Sequence, residues 1–153
     1  MTATPDRLRA LPSRLLSLSA MHADRLVGEA LAAEDSRKWH YAVLAALEES
    51  GAASQAELST RTRVHRSDLV AVINELGARG LVERTPDPAD RRRNVITITE
   101  RGGARLRRLD TLLASVQDEL LAPLDPAERR ELTRLLTRLT DHHARAGTPA
   151  PEA

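Results

Sequence analysis

Two short stretches hold most of the side chains that could do chemistry. Residues 61–67 read Arg61-Thr62-Arg63-Val64-His65-Arg66-Ser67, three arginines and no acid. Residues 90–94 read Asp90-Arg91-Arg92-Arg93-Asn94, three arginines against one carboxylate. A guanidinium presents five N–H donors in a planar fork, which suits phosphate oxygens and the paired acceptors of a guanine edge. The whole chain has 23 Lys+Arg against 22 Asp+Glu, a formal net charge of +1, and Lys38 is its only lysine. These clusters are therefore local patches on a balanced chain rather than part of a general polycation. The stretch 103–146 is the contrast, with eight arginines, seven acids and no patch.

Other chemistries find less support. There is no cysteine, which excludes disulfides, thiolate zinc sites, iron–sulfur clusters and cysteine redox sensing. Aromatic residues make up 1% of the chain, Trp39 and Tyr41 with no Phe, so base stacking on an aromatic platform has almost nothing to work with. The five histidines, His22, His40, His65, His142 and His143, match no H-E-x-x-H spacing. A metal sensor using His22, His40, His142 or His143 stands as an alternative reading, as does a helical dimeric protein-interaction module. No Gly-rich phosphate loop, serine elbow or paired carboxylates are visible, and Asp24, Glu34 and Asp35 are scattered, so neither an enzyme nor a cofactor is expected. No apolar run approaches the roughly 18 residues of a membrane span, and the start lacks a long apolar segment. The expectation is no membrane contact and a reducing, cytoplasmic setting.

The elements that must position the arginines follow from periodicity. The 153 residues suit one domain, or one compact unit with helical additions. Residues 5–32 read as helical, with Leu8, Leu11, Leu15, Leu18, Leu26 and Leu31 at mostly three- and four-residue steps. Pro12 breaks or kinks that helix, and Ser13 is the alternative start of its continuous part. A second helix covers 36–50, stopped by Gly51. Ser54-Gln55-Ala56-Glu57 is a capping box opening a short third helix that stops near Arg61. A fourth runs from about His65 to Arg79, with Leu69, Val72, Ile73 and Leu76 on one face and Gly80 after it. Leu81–Arg84 and Arg93–Thr99 read as strands joined by a turn over Thr85–Arg92, a hairpin with a charged tip. Gly102 and Gly103 punctuate the start of a long helix carrying Leu106, Leu109, Leu113, Val116, Leu120 and Leu124. Asp125-Pro126-Ala127-Glu128 starts the last helix, to about residue 144. The tail from Gly147 is expected to be disordered.

A short capped helix, a tight turn, a second helix and a charged hairpin follow the order of a winged helix-turn-helix, whose second helix enters the DNA major groove. The fold class expected is mainly α with a small β-hairpin wing and an all-helical dimerisation region. The segments are 1–35 as an N-terminal dimerisation helix, 36–101 as the DNA-binding lobe, 102–146 as C-terminal dimerisation helices and 147–153 as tail. The outer helices carry more leucine than that lobe can cover. They could fold together as a bundle or bury against a second copy.

The stretch L-V-E-R-T-P-D-P-A-D-R-R-R-N-V-I-T-I-T-E-R-G resembles the wing of the MarR family of bacterial transcriptional regulators. Its Asp-x-Arg, Leu-Thr and Gly pattern falls on Asp90, Arg92, Ile98, Thr99 and Gly102, with Ile in place of Leu. H-Y-A-V-L-A-A-L, S-Q-A-E-L and N-E-L-G-A-R-G-L-V resemble the family too. The resemblance implies a homodimeric regulator on a near-palindromic duplex, a repressor relieved by a small-molecule effector. Arg92 is the wing residue expected in a minor groove, with Asp90 accepting its hydrogen bonds or pinning the turn and Arg91 and Arg93 on phosphates. On the fourth helix Arg66 suits a guanine edge, Ser67 a base edge or phosphate, Val70 a thymine methyl, and Asp68 a cytosine or a helix cap. Arg63 and His65 belong to the same patch. Gln55, with the N–H groups after Ser54, suits a phosphate. The family often has Thr and Arg where this chain has Val70 and Ala71, so its base preference does not transfer. An aromatic effector cleft is implied near His22, Trp39 and Tyr41; an aromatic pair packed in a hinge is the alternative for the last two.

Overall fold

The computed structural model describes residues 3–147, and the chain divides after Val116 into two compact units. Proline sets the first boundary. Asp6–Arg9 forms a single turn, α1; Leu11 is extended, and Pro12 occupies the first position of α2 (Pro12–Ala32), where its missing N–H is no loss. The segment read as helical from residue 5 is thus divided just before Pro12. The elements that follow are α3 (Lys38–Ser50), α4 (Gln55–Thr62), α5 (Arg66–Ala78), β1 (Val82–Pro86), β2 (Asn94–Ile98), α6 (Glu100–Leu120) and α7 (Pro126–Ala146).

One apolar core organises the first unit. Val43, Leu44 and Leu47 of α3, Leu58 of α4, and Leu69, Val72, Ile73 and Leu76 of α5 are all buried, with Leu81, Val82, Ile96 and Leu106 closing the far side. Each such side chain contributes roughly 1.5–3 kcal/mol of transfer free energy, which holds α5 and the hairpin in fixed relation. The strands pair antiparallel from Val82 with Ile98 to Pro86 with Asn94. β1 therefore runs two residues beyond the expected Arg84, because Pro86 sits at the end of an edge strand, where a missing donor is tolerated. Ala53 adds an unforeseen bridge: its N–H donates to Ile96 O at 3.1 Å and its carbonyl accepts from Ile96 N–H at 2.7 Å.

The start of α6 differs from expectation. The helix begins at Glu100, so Gly102 and Gly103 lie inside its first turn rather than before it. Thr99 is what starts it: its Oγ1 accepts from Gly102 N–H at 3.0 Å and donates to Gly80 O at 2.7 Å. Gly102 packs so closely that a Cβ there would stand 2.1 Å from the Leu81 carbonyl oxygen. Leu124 lies in the turn after α6 rather than on it, because the helix stops at Leu120.

The outer helices leave apolar side chains uncovered. On α2, Leu15, Leu16, Leu18 and Met21 are exposed, as is Leu11 before it. In the second unit, α7 opens with the expected capping box, Glu128 N–H to Asp125 Oδ1 at 2.8 Å. It has no buried residue, and Leu135 and Leu139 are exposed. The tail expected to be disordered lies, beyond Gly147, outside the described residues. Among those residues no helix is long and apolar enough to cross a membrane.

Candidate nucleic-acid interface

The turn between α4 and α5 is built by side chains that satisfy its backbone. Ser54 caps α4, accepting from Glu57 N–H while Glu57 accepts from Ser54 N–H, both at 3.2 Å. At the other end Thr62 Oγ1 donates to Leu58 O at 2.6 Å, and Arg63 takes the left-handed conformation, φ 58°. Ser59 donates to Val64 O at 2.7 Å, and buried Val64 anchors the turn in the core. His65 then caps α5, its Nδ1 accepting from Ser67 N–H at 3.3 Å and lying 2.8 Å from the Ser67 hydroxyl. The cap of this helix is thus His65 rather than Ser67 or Asp68. The Ser67 hydroxyl, read as a base or phosphate ligand, already has a partner.

The outward face of α5 carries Arg66, Ser67, Val70, Ala71 and Asn74, while Asp68 is half-buried in the first turn. Val70 is 41% exposed, an apolar side chain on a face that the core does not use. The hairpin stands beside this face. Between the start of α4, the start of α5 and both strands lies an open cleft of about 420 Å³, lined by Ser54, Gln55, Ala56, Arg66, Arg84, Arg93, Asn94 and Ile96. Among the described residues three guanidiniums line it and no carboxylate does. The fold therefore brings together Ser54, Gln55, Arg66 and Arg93, which stand well apart in the chain.

It also brings in Arg84, which sequence reasoning missed. A single arginine in a strand carries no pattern. Its place follows only from the strand register, and from the 2.8 Å hydrogen bond it donates to Asn74 Oδ1 on α5.

Beyond the cleft the wing tip is pinned by its own acids. Asp90 Oδ1 accepts from Arg92 N–H at 3.1 Å, Asp90 O accepts from Arg93 N–H at 3.0 Å, and Asp87 Oδ1 accepts from Ala89 N–H at 2.9 Å. Of the two roles read for Asp90, the structure has it pinning the turn. Arg91, Arg92 and Arg93 are exposed and, among the described residues, pair with no carboxylate. Several arginines elsewhere do: Arg37 with Glu75 at 2.6 Å, Arg108 with Glu34 at 2.9 Å, Arg129 with Asp118 at 2.7 Å and Arg134 with Glu131 at 2.6 Å. Unneutralised arginines on one face leave a positive potential directed at solvent.

His40 is 3% exposed; its Nδ1 accepts from Arg37 N–H at 3.0 Å, so Nε2 carries the proton toward Glu75 Oε2 at 2.6 Å. Burial pushes its pKa below the ordinary 6.5, with the Glu75 hydrogen bond acting the other way. His22 is exposed on α2, and the His142 and His143 rings meet edge to face on α7. Among the described residues, no group of three or more His, Asp or Glu side chains forms a metal site. Trp39 and Tyr41 are half-buried against the lobe's core, on a different helix from His22. The Tyr41 hydroxyl donates to Asp110 Oδ1 at 2.6 Å, which pushes its pKa up to about 12.

A capped helix, a left-handed turn, a second helix with a basic outward face and a two-stranded finger beside it define a winged helix-turn-helix of the DNA-binding kind. The MarR family model matches residues 34–93. The HTH-type transcriptional repressor NicR of Pseudomonas putida is 33% identical over 107 residues, covering 70% of this chain and 68% of that protein. The structure of BpsR from Bordetella bronchiseptica, whose DNA binding is regulated by 6-hydroxynicotinic acid, aligns with a TM-score of 0.78 and 25% identity. That alignment covers 90% of this chain and 99% of BpsR. The repressor CouR, solved on a 23-mer DNA duplex, aligns with a TM-score of 0.81 and 26% identity over 92% of this chain and 99% of CouR. The chain belongs to the MarR family, and it is a DNA-binding transcriptional regulator.

Proposed function

We propose that the protein is a homodimeric repressor that binds a near-palindromic duplex and is released by an aromatic small molecule. The observation that carries the DNA contact is the convergence of Arg66, Arg84 and Arg93 on one carboxylate-free cleft beside an unpaired Arg91–Arg93 tip. Arg66 and Val70 read base edges in the major groove. Arg92 enters the minor groove, and Arg63, Arg91, Arg93 and the α4 N-terminus at Ser54 and Gln55 take phosphates. His65, Ser67 and Asp90 hold that surface in shape, and Asp68 accepts from a cytosine amino group.

The dimer is supported by the leucines left exposed on α2 and α7. Residues 1–35 and 102–146 then form the clasp and 36–101 the reading lobe. Two-fold symmetry would set the recognition helices roughly 34 Å apart, one DNA turn. The effector reading rests on the likeness to BpsR. The pair Trp39 and Tyr41, with His22, is the candidate contact. The protein works in the cytoplasm as a regulator and catalyses nothing.

The test is a mobility shift with DNA from beside the protein's own gene, at two salt concentrations, with and without 6-hydroxynicotinate. Tight, salt-sensitive binding that Arg66→Ala weakens supports the reading. Binding of a protein partner with no DNA shift would replace it by an interaction module.

A further inference from the structure

The first unit holds a second gathering of guanidiniums away from the DNA face. Arg79, the cap residue after α5, and Arg101, Arg105 and Arg108 on one face of α6 line an open cleft of about 520 Å³ floored by Leu81 and Ala104. Among the described residues only one carboxylate meets them. Glu34 lies 2.9 Å from Arg108 Nη2 and 3.6 Å from Arg105 Nη1. Arg105 also donates to the Glu34 carbonyl, and Arg79 to that of Asp35. The Arg101 side chain has no hydrogen-bond or ion partner among the described residues. Four cations thus face one anion, and like charges one turn apart on a helix repel. Three of the four bond the corner at Glu34 and Asp35, and Arg101 is left uncommitted.

The cleft is also remote from the duplex. α5 has 13 residues, so at 1.5 Å each about 20 Å separates Arg66 from Arg79. Leu81 sits at the base of the hairpin, the end opposite its tip. We infer that this cleft binds a small molecule carrying at least two anionic groups, such as a phosphorylated or polycarboxylate metabolite.

Glu34 is the internal stand-in for that ligand. The Arg108 guanidinium holds its carboxyl below the usual carboxylate range, so it stays charged and competes. It belongs to the corner between α2 and α3, where Asp35 takes φ 50° in the left-handed region. A ligand that displaces Glu34 therefore frees the corner that joins the N-terminal helix to the reading lobe.

Inorganic pyrophosphate is the probe, titrated into the intact protein without DNA at about 0.1 M ionic strength, where long-range charge effects are screened beyond roughly 10 Å. Methyl NMR signals of Leu81 and Ala104 report this cleft separately from the arginines of the DNA face. Saturable shifts are expected, weakened roughly fivefold by Arg101→Ala and strengthened several-fold by Glu34→Gln, which removes the competitor. Arg101 makes no bond that folding needs, and opposite signs from the two variants would not arise from a structural role alone. Unmoving methyl signals, or equal affinity in both variants and the wild type, would overturn the inference. Because the readout is on the protein alone, failure here leaves the DNA-binding reading untouched.

Discussion

Two adjacent glycines should respond to the same substitution with opposite signs. Gly102 and Gly103 both lie in the first turn of α6, where alanine is favoured over glycine by roughly 0.8–1 kcal/mol. At Gly102 a Cβ would stand 2.1 Å from Leu81 O, 2.8 Å from Ile98 Cγ1 and 3.0 Å from Leu81 C. A carbon approaches a carbonyl oxygen comfortably at roughly 3.3 Å, so the helix must retreat by about 1 Å. Backbone cannot yield as a flexible side chain does, and overpacking of this kind costs ~1–3 kcal/mol or more. The clash wins, and Gly102→Ala should lower Tm by about 3–8 °C for a chain of this size. At Gly103 the nearest atoms are Arg107 Nη1 at 3.6 Å and Glu48 Oε2 at 3.8 Å, ordinary contacts with mobile side-chain ends. Propensity wins there, and Gly103→Ala should raise Tm by about 2–4 °C. Thermal denaturation followed by circular dichroism at one fixed protein concentration decides it, since association shifts Tm. Equal shifts, or a neutral Gly102→Ala, would refute the packing argument.

Arg92→Ala should weaken binding to all duplexes and lower the slope of log affinity against log salt by about 0.9 per lost contact, while Arg66→Ala should cost ~1–3 kcal/mol and change the preferred sequence. Anisotropy titrations across salt and operator variants separate the two, and identical behaviour would count against the assignment. Tyr41 is the only tyrosine, so ultraviolet titration reads it alone. Its midpoint should stand near 12 and fall toward 10 in Asp110→Asn, and a wild-type midpoint near 10 in folded protein would contradict the hydrogen bond. His40 has a folded pKa below its ordinary 6.5, so the fold favours its neutral form. Its stabilisation is full above pH 6.5 and lost as pH falls through the folded value. Urea midpoints should decline below pH 6.5, and His40→Gln should flatten that decline; an unchanged slope would remove His40 from the account.

Much of the secondary structure was legible because local chemistry decided it. The capping boxes at Ser54 and Asp125 need only residues three apart, and Pro12 marked the break, although the helix starts at Pro12 itself rather than at Ser13. The wing was readable from β-branched residues between turn formers. What escaped depended on distant partners. Ala53 pairs with Ile96 across 43 positions of sequence, and one bridge leaves no alternating pattern. Arg84 reaches the basic cleft through pairing register, which a lone residue does not reveal. Gly102 and Gly103 looked like punctuation because glycine usually ends helices. Here one admits a carbonyl at close range, a need set by Leu81 in the connection between α5 and β1. The effector residues were named through resemblance alone, and the hydrogen bond from Tyr41 to Asp110, 69 positions away, left no local pattern to read.

Hydroxyl-radical footprinting on a duplex carrying the protein's binding site tests the central claim most directly. Two symmetry-related patches of protection on one face, roughly 34 Å apart, with two chains bound per site, are predicted. A single unpaired patch, or one chain per site, would contradict the account.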